Sequence, residues 1–275
     1  MKKKLLLFLL LLPAYILISG SFMKSTISQH ELGFFSEKKM QVGEELTYVV
    51  SYSFIKLGEI KLIVKDKREI KGKTYYSAVA YINSYNGIPF VSLHQIYESR
   101  INPEYASEFF RGTVKHDEYS TFTEYNFNYK DSKIKIKKGK ISPYQLWTDS
   151  TSYLNQQMQD GLSIFYYARM NLGIKKSVNV PCFVNEKYEY TKINFYTGVQ
   201  KAEVDAVDYD IACLRLDGNM DFVSIYGLTG YFEGWFSNDE ASIPIVAKMK
   251  VFVGNVKLEL KQWKREGWTP PKYRN

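Results

Sequence analysis

The sequence predicts a mainly β protein, built as a large curved antiparallel sheet or partial barrel with one central helix. Three observations carry this reading. Leu46, Tyr48, Val50, Tyr52 and Phe54 recur at every second position with Glu45, Thr47, Ser51 and Ser53 between them, as a half-buried strand requires. Near the C-terminus the apolar parity flips at Gly254-Asn255, from Met249, Val251 and Val253 to Val256, Leu258 and Leu260, which is the mark of a hairpin. One segment alone has helical spacing: Leu162, Phe165, Tyr166, Arg169 and Met170, with Asp160 as an N-cap and Gly173 as a stop.

Taken along the chain, the first strand ends in a turn at Leu57-Gly58, and alternation resumes with Ile60, Leu62 and Val64. A turn at Lys71-Gly72 leads to a strand over 74–82, rich in aromatic and β-branched residues. Further strands are predicted over 94–101, 108–116, 120–129, 133–138, 186–195, 200–205, 209–216, 221–226 and 231–237. Short connections make most neighbours antiparallel. In the C-terminal hairpin a two-residue turn at Gly254-Asn255 would pair Met249 with Leu260, and Lys250 with Glu259.

The first residues have a different purpose. Lys2, Lys3 and Lys4 precede an apolar run from Leu5 to Ile18 and the small residues Ser19, Gly20 and Ser21, the pattern of a secretory signal peptide over 1–21. The run of about 14 residues is shorter than the roughly 20 that span a bilayer, and Pro13 interrupts it. No cysteine follows it to carry a lipid. Residues 22–38 are expected to be flexible, residues 39–263 to form a single β-rich domain, and residues 264–275, with Pro270-Pro271, to be an exposed tail. Such a tail does not finish on a lipid-facing strand, which argues against an outer-membrane barrel.

Export implies an oxidising compartment, where Cys182 and Cys213, the two cysteines of the chain, become a candidate disulfide. The bridge would close a loop of roughly 30 residues and stabilise by ~3 kcal/mol. The alternative is two buried thiols, because the cysteines lie near two strands with a third between them in sequence.

Charge and motifs exclude several classes. The net charge of +8 includes three N-terminal lysines, and the one dense basic run, Lys133 to Lys138, alternates with Ile134 and Ile136 like the solvent face of a strand. Nucleic acid is therefore not an expected partner. There is no phosphate-binding glycine loop, no nucleophile elbow and no His-Glu-x-x-His. His30, His94 and His116 stand in unrelated contexts, and although Asp117 and Glu118 follow His116, adjacent strand residues point to opposite faces. Glu233, Asp239 and Glu240 around Trp235 could serve a carbohydrate-active enzyme only if two carboxyls converge at roughly 5–9.5 Å. No cofactor or metal is expected. With 23 Tyr and 17 Phe, many at alternate strand positions, the aromatic side chains either fill the space between sheet and helix or line an apolar pocket.

Four segments carry a family resemblance. Gly43-Glu44-Glu45-Leu46-Thr47-Tyr48 with Ile55-Lys56-Leu57-Gly58-Glu59, the segment Asp160 to Arg169, Ala212-Cys213-Leu214-Arg215-Leu216, and Gly234-Trp235-Phe236-Ser237-Asn238-Asp239 continuing to Val256 resemble, in order, the motifs of domain-of-unknown-function family 3108. The resemblance covers about residues 35–263 and implies an exported, mostly antiparallel β protein similar to periplasmic lipoprotein carriers. It implies no catalytic residues, and Cys182 has no counterpart in the pattern.

The resulting expectation is a non-enzymatic periplasmic protein of a bacterial cell envelope, peripheral to the outer membrane, that binds a lipid, an acyl chain or a lipidated glycan. Trp235, Phe236, Tyr231, Phe165 and Tyr166 are the candidate lining. The alternative is a structural protein that lends a sheet edge to an envelope protein partner.

Overall fold

The computed structural model describes residues 39–88, 92–224, 227–250 and 255–274. The predicted signal peptide, residues 1–21, and the N-terminal segment 22–38 lie outside the described residues.

The first strands are β1 (Glu45–Tyr52), β2 (Ile55–Ile70), β3 (Lys73–Ser84) and β4 (His94–Ile101). They are followed by β5 (Ser107–Lys115), β6 (Ser120–Asn128), β7 (Lys133–Lys140) and β8 (Gln145–Tyr153). After the helix α1 (Ser163–Asn171) come β9 (Lys176–Val184), β10 (Lys187–Ala202), β11 (Ile211–Met220), β12 (Gly230–Ser237), β13 (Pro244–Lys250) and β14 (Asn255–Lys264). All pair antiparallel in one 14-stranded sheet of order β8 to β1, then β14 down to β9. Sequence neighbours are sheet neighbours except at the centre, where β1 pairs β14. The fold class is therefore as predicted, an antiparallel sheet with one helix.

The two outer strands, β8 and β9, are consecutive in the chain, and the segment between them holds α1. The backbone ladder does not close, but this segment fills the gap. Gln159 forms a parallel bridge to Cys182, its N–H donating to Pro181 O at 2.8 Å while it accepts from Phe183 N at 2.8 Å. Ser107 N donates to Met158 O on the other side at 2.8 Å. Side chains complete the seam: Tyr125 Oη donates to Glu186 at 2.7 Å, Lys138 pairs with Glu186 at 3.0 Å, and Phe183 meets Tyr125 edge-on at 5.0 Å. Register shifts in β1, β2, β10 and β12 bend the strands, as bulges do, and the sheet curls into a barrel-like shell.

The core follows from alternation. Leu46 and Tyr48 on β1, Ile60, Leu62 and Val64 on β2, and Ile134 and Ile136 on β7 turn inward. Lys133 and Lys135 face solvent, as the alternating lysine run predicted. Stacked Tyr97, Phe110 and Tyr125, with centroids 5.8 and 5.5 Å apart, fill the interior on the β4–β6 side.

Several expectations are corrected. The β1–β2 turn falls at Ser53-Phe54, not at Leu57-Gly58. Gly58 is a strand residue facing Ser84 of β3, and a Cβ there would run into Asn83 O, so the glycine marks a close approach of backbones and not a turn. At Lys71-Gly72 the predicted turn is present, both residues having positive φ. The β13–β14 hairpin forms, yet Met249 faces Val256 and Lys250 faces Asn255, so the register lies four residues from the predicted one with the same faces kept. The proposed turn residue Gly254, with Val251 and Val253, lies outside the described residues. The strands predicted over 186–195 and 200–205 are one bulged strand, β10, and no strand occupies 221–224.

Cys182 and Cys213 are free buried thiols, not a disulfide. They stand on β9 and β11 with β10 between them, opposite Glu189 and Gln200 respectively. The tail is not loose either. Arg265 pairs with Glu44, Trp268 Nε1 donates to Asp239 at 2.8 Å, and Ile211 bridges Lys272 beside the buried Pro270.

Candidate functional site

The helix is pinned inside the shell at both ends. At its start Asp160 Oδ1 accepts from Leu162 N at 2.7 Å and Ser163 N at 2.8 Å, satisfying amides that the helix itself leaves open. Ser99 Oγ of β4 donates to Asp160 Oδ2 at 2.6 Å, and burial pushes this carboxyl above the usual range. At its end Arg169, 2% exposed, reaches Glu44, 1% exposed, at the entry to β1. Arg169 Nη2 also donates to Ala241 O at 3.0 Å and to Lys39 O. Lys39 Nζ returns a bond to Arg169 O at 2.7 Å, and burial, then the Arg169 charge, lowers its pKa to about 8.

Pinned in this way, α1 presents Ile164, Phe165 and Ala168 as one apolar face. Between that face and the inner faces of β1, β2 and β11 to β14 lies a cavity of about 350 Å³. Its wall is nearly all apolar: Val50 and Leu62, Leu216 and Phe232, Val246 and Leu258 stand around it. Tyr48 contributes its ring while its hydroxyl donates to Pro244 O at 2.9 Å, so no unpaired phenol enters the space. Burial raises the Tyr48 pKa well above its ordinary value and keeps the ring neutral. Gly234 makes room for this wall, since a Cβ there would come within 2.8 Å of the Phe236 ring and 3.3 Å of Leu216.

The cavity reaches the end of the sheet where the β1–β2, β3–β4, β11–β12 and β13–β14 connections lie, because Leu57, Leu93, Leu228 and Val256 line it there. Leu93 is also 38% exposed, which places it at the mouth. The few polar groups, among them Gln95 and Glu59, belong to this outer end. A hydrogen bond from Lys261 and a second from Tyr85 hold the Glu59 carboxyl below the usual range.

Of the expected lining, the structure brings Phe165 and Phe236 into the cavity and leaves Trp235, Tyr231 and Tyr166 out. The reason is parity. On β12 only Phe232, Gly234 and Phe236 can share the inner face, so Trp235 and Tyr231 look outward. Trp235 Nε1 donates to Gln200 at 3.0 Å, and Tyr231 Oη accepts from Arg215 at 3.0 Å. Tyr166 sits one helical step from Phe165, against Arg169. Ile164, Ala168, Phe232 and Leu216 were missed. The Phe232-Gly234-Phe236 alternation and the spacing of Ile164, Phe165 and Ala168 carried the signal.

The other candidate chemistry does not assemble. Glu233 is paired with Arg215 at 2.6 Å, while Asp239 accepts from Ser237 Oγ, Ala241 N, Ser242 N and Trp268 and so organises the β12–β13 turn. His94 contacts Asn83 and His116 contacts Thr121, both at the surface, and His30 lies outside the described residues. Among the described residues no cluster of His, Cys, Asp and Glu could hold a metal ion, and no helix is long and apolar enough to cross a membrane.

The same shell is seen in other proteins. The beta-barrel-like protein of domain of unknown function DUF1849 from Brucella abortus superposes with a TM-score of 0.52 at 10% identity, over 81% of this chain and 97% of that one. That likeness shows the fold alone. A Bacteroides fragilis protein described as exported, with a YmcC-like fold, aligns over 82% of this chain and 97% of its own at 9% identity, with a TM-score of 0.37. A Parabacteroides distasonis protein described as a lipoprotein aligns over 82% and 96% at 8% identity, with a TM-score of 0.34. No curated protein matches the chain in sequence. The family model described as "protein of unknown function (DUF3108)" matches residues 47–261, the stretch from β1 to β14 that encloses the cavity, and the chain belongs to that family.

Proposed function

We propose that this protein is a non-enzymatic, exported envelope protein that binds the acyl portion of a lipid or lipidated glycan in the cavity above α1. The observation that carries the reading is the cavity itself: about 350 Å³ of apolar space under a helix fixed at both ends, within the roughly 300–1,000 Å³ of small-molecule sites. A well-packed interior leaves few voids larger than a water molecule, so a dry space of this size fits an apolar occupant better than solvent. The signal-peptide pattern of residues 1–21 supports delivery to the periplasm, where such ligands are made and moved.

The test is native mass spectrometry of the mature protein purified gently from its own envelope, followed by organic extraction and lipid analysis. A stoichiometric adduct that extraction removes is expected. A clean apo mass from the native source, together with failure to take up any fatty acid or phospholipid in solution, would sink the reading.

A second reading rests on β8. Its outer edge from Gln145 to Thr151 has no backbone partner among the described residues, and Leu146 and Trp147 are exposed on it. An uncovered strand edge is a template for a partner's strand. A photo-crosslinker at Trp147 that captures one envelope protein in living cells would favour this role.

A further inference from the structure

We propose that the cavity mouth docks on an anionic bilayer surface, so that the protein loads and unloads its ligand without passing the acyl chain through water. This rests on the lipid-binding reading and adds the surface that serves it. Around the mouth, apolar side chains that a soluble protein would normally bury stand in solvent. Phe54, at the tip of the two-residue β1–β2 turn, is 89% exposed, and its neighbour Ile55 is exposed beside it. Leu93 and Tyr85 flank the β3–β4 connection, and Val223 lies on the β11–β12 connection. These residues come from separate connections that antiparallel topology brings to the same end of the sheet, and Leu93 continues directly into the cavity wall.

Packing within the fold does not account for Phe54, since a hairpin tip needs only two residues able to turn. A Phe, Ile and Tyr rim with adjacent cations is the composition of a surface that inserts into the interfacial layer of a membrane. Lys56 follows Ile55 directly, and Lys248 and Lys250 stand at the outer end of β13, all three exposed. On the same connections Asp221 accepts a bond from Asn219, and Glu59 is held by Lys261, so the accessible charge at the rim is positive. That sign matches anionic phospholipid headgroups. A ligand whose methylenes are unfavourable in water then moves between bilayer and cavity along a continuous apolar path.

The experiment is flotation of the mature protein with vesicles of phosphatidylcholine alone and with one third phosphatidylglycerol. Partition into the anionic vesicles is expected, weakened by salt, with about a fivefold loss for each of Lys56→Glu and Lys250→Glu, as roughly one screened charge contact apiece. Phe54→Asp should reduce it further, and this turn residue is too exposed for its replacement to unfold the chain. The cavity-filling variant Ala168→Phe should lose the lipid adduct and still float, which separates failure of the pocket from failure of the docking surface. Equal flotation of wild type, Phe54→Asp and Lys56→Glu would overturn the proposal. So would absence of flotation with both vesicle types, and a Phe54-dependent dimer in that case would assign the rim to a second copy of the chain.

Discussion

Arg169 and Glu44, 125 positions apart in sequence, form a two-pronged ion pair inside the protein, Nη1 to Oε1 at 2.6 Å and Nη2 to Oε2 at 3.1 Å. Arg265, from beyond the last strand, joins the same carboxylate. One anion thus ties the helix, the start of the sheet and the C-terminal segment together. Glu44→Gln leaves two buried guanidiniums without their counter-charge, whereas Arg169→Met leaves Glu44 still paired to Arg265. Both should destabilise, by about 3–5 kcal/mol for removing one partner of a buried pair, with Glu44→Gln the worse. Urea unfolding of the two variants checks the order; equal costs would mean that Arg265 contributes nothing.

Ala168 is the smallest side chain of the helix that faces the cavity. Ala168→Phe should occupy ligand volume and reduce fatty-acid binding at least tenfold, measured by displacement of a fluorescent apolar probe. Because the side chain enters existing space, the unfolding midpoint should change little, unlike the ~1–3 kcal/mol usual for overpacking a filled core.

Burial pushes the Cys182 and Cys213 thiols up to about 12. A native-state pKa above the unfolded value means that the contribution to stability is full below the unfolded pKa and declines as pH rises from about 9 towards 12. Stability measured across that window should therefore fall, and the Cys182→Ala/Cys213→Ala variant should show a shallower fall. Lys39, whose pKa is lowered to about 8, adds an opposite slope between about pH 8 and 10.5 in both proteins, so the difference between them isolates the thiols. Maleimide labelling at neutral pH should be slow until denaturant is added, since the thiolate is the reactive form.

Gly58 sits where β2 comes closest to β3. Gly58→Ala should force the two backbones apart at Asn83 and Ser84, at a cost of about 1–3 kcal/mol, and also disturb the cavity mouth that Gly58 lines. Thermal unfolding and probe binding should both report it. A silent substitution would show that the β2–β3 pair can widen freely.

Much of this architecture was legible in the residues because burial on one face imposes period two. The β1, β2 and β7 alternations and the α1 stripe from Leu162 to Met170 map onto elements within a few residues, with Asp160 supplying the start and Gly173, at φ +85°, the stop. What was not legible lies where that constraint weakens. Strand β8 has little buried surface on either face, so its sequence QLWTDSTSY shows no alternation. Strand β9 carries Pro181, tolerable because it is an edge. Both sheet edges were missed for this reason. The β13–β14 register was off by four because parity fixes which face a residue takes but not how far the turn extends. The cavity lining mixed two parities on β12, and the Glu44–Arg169–Arg265 cluster had no local signature at all, its partners meeting only after the whole sheet has formed.

The β1–β14 pairing at the centre of the sheet bears on how the chain matures once it has crossed the inner membrane. The strand that completes the middle of the sheet is the last to emerge, so β1 to β8 can assemble as a half-sheet while β1 still offers a bare edge that only the C-terminal residues can cover. Arg265 arrives in the same final step and completes the pairing of Glu44. Vectorial emergence therefore leaves an adhesive intermediate throughout translocation, and the closing contacts are long-range, which slows folding. A periplasmic holdase that protects strand edges is the helper such a chain calls for, and C-terminal truncations should aggregate instead of folding into smaller barrels.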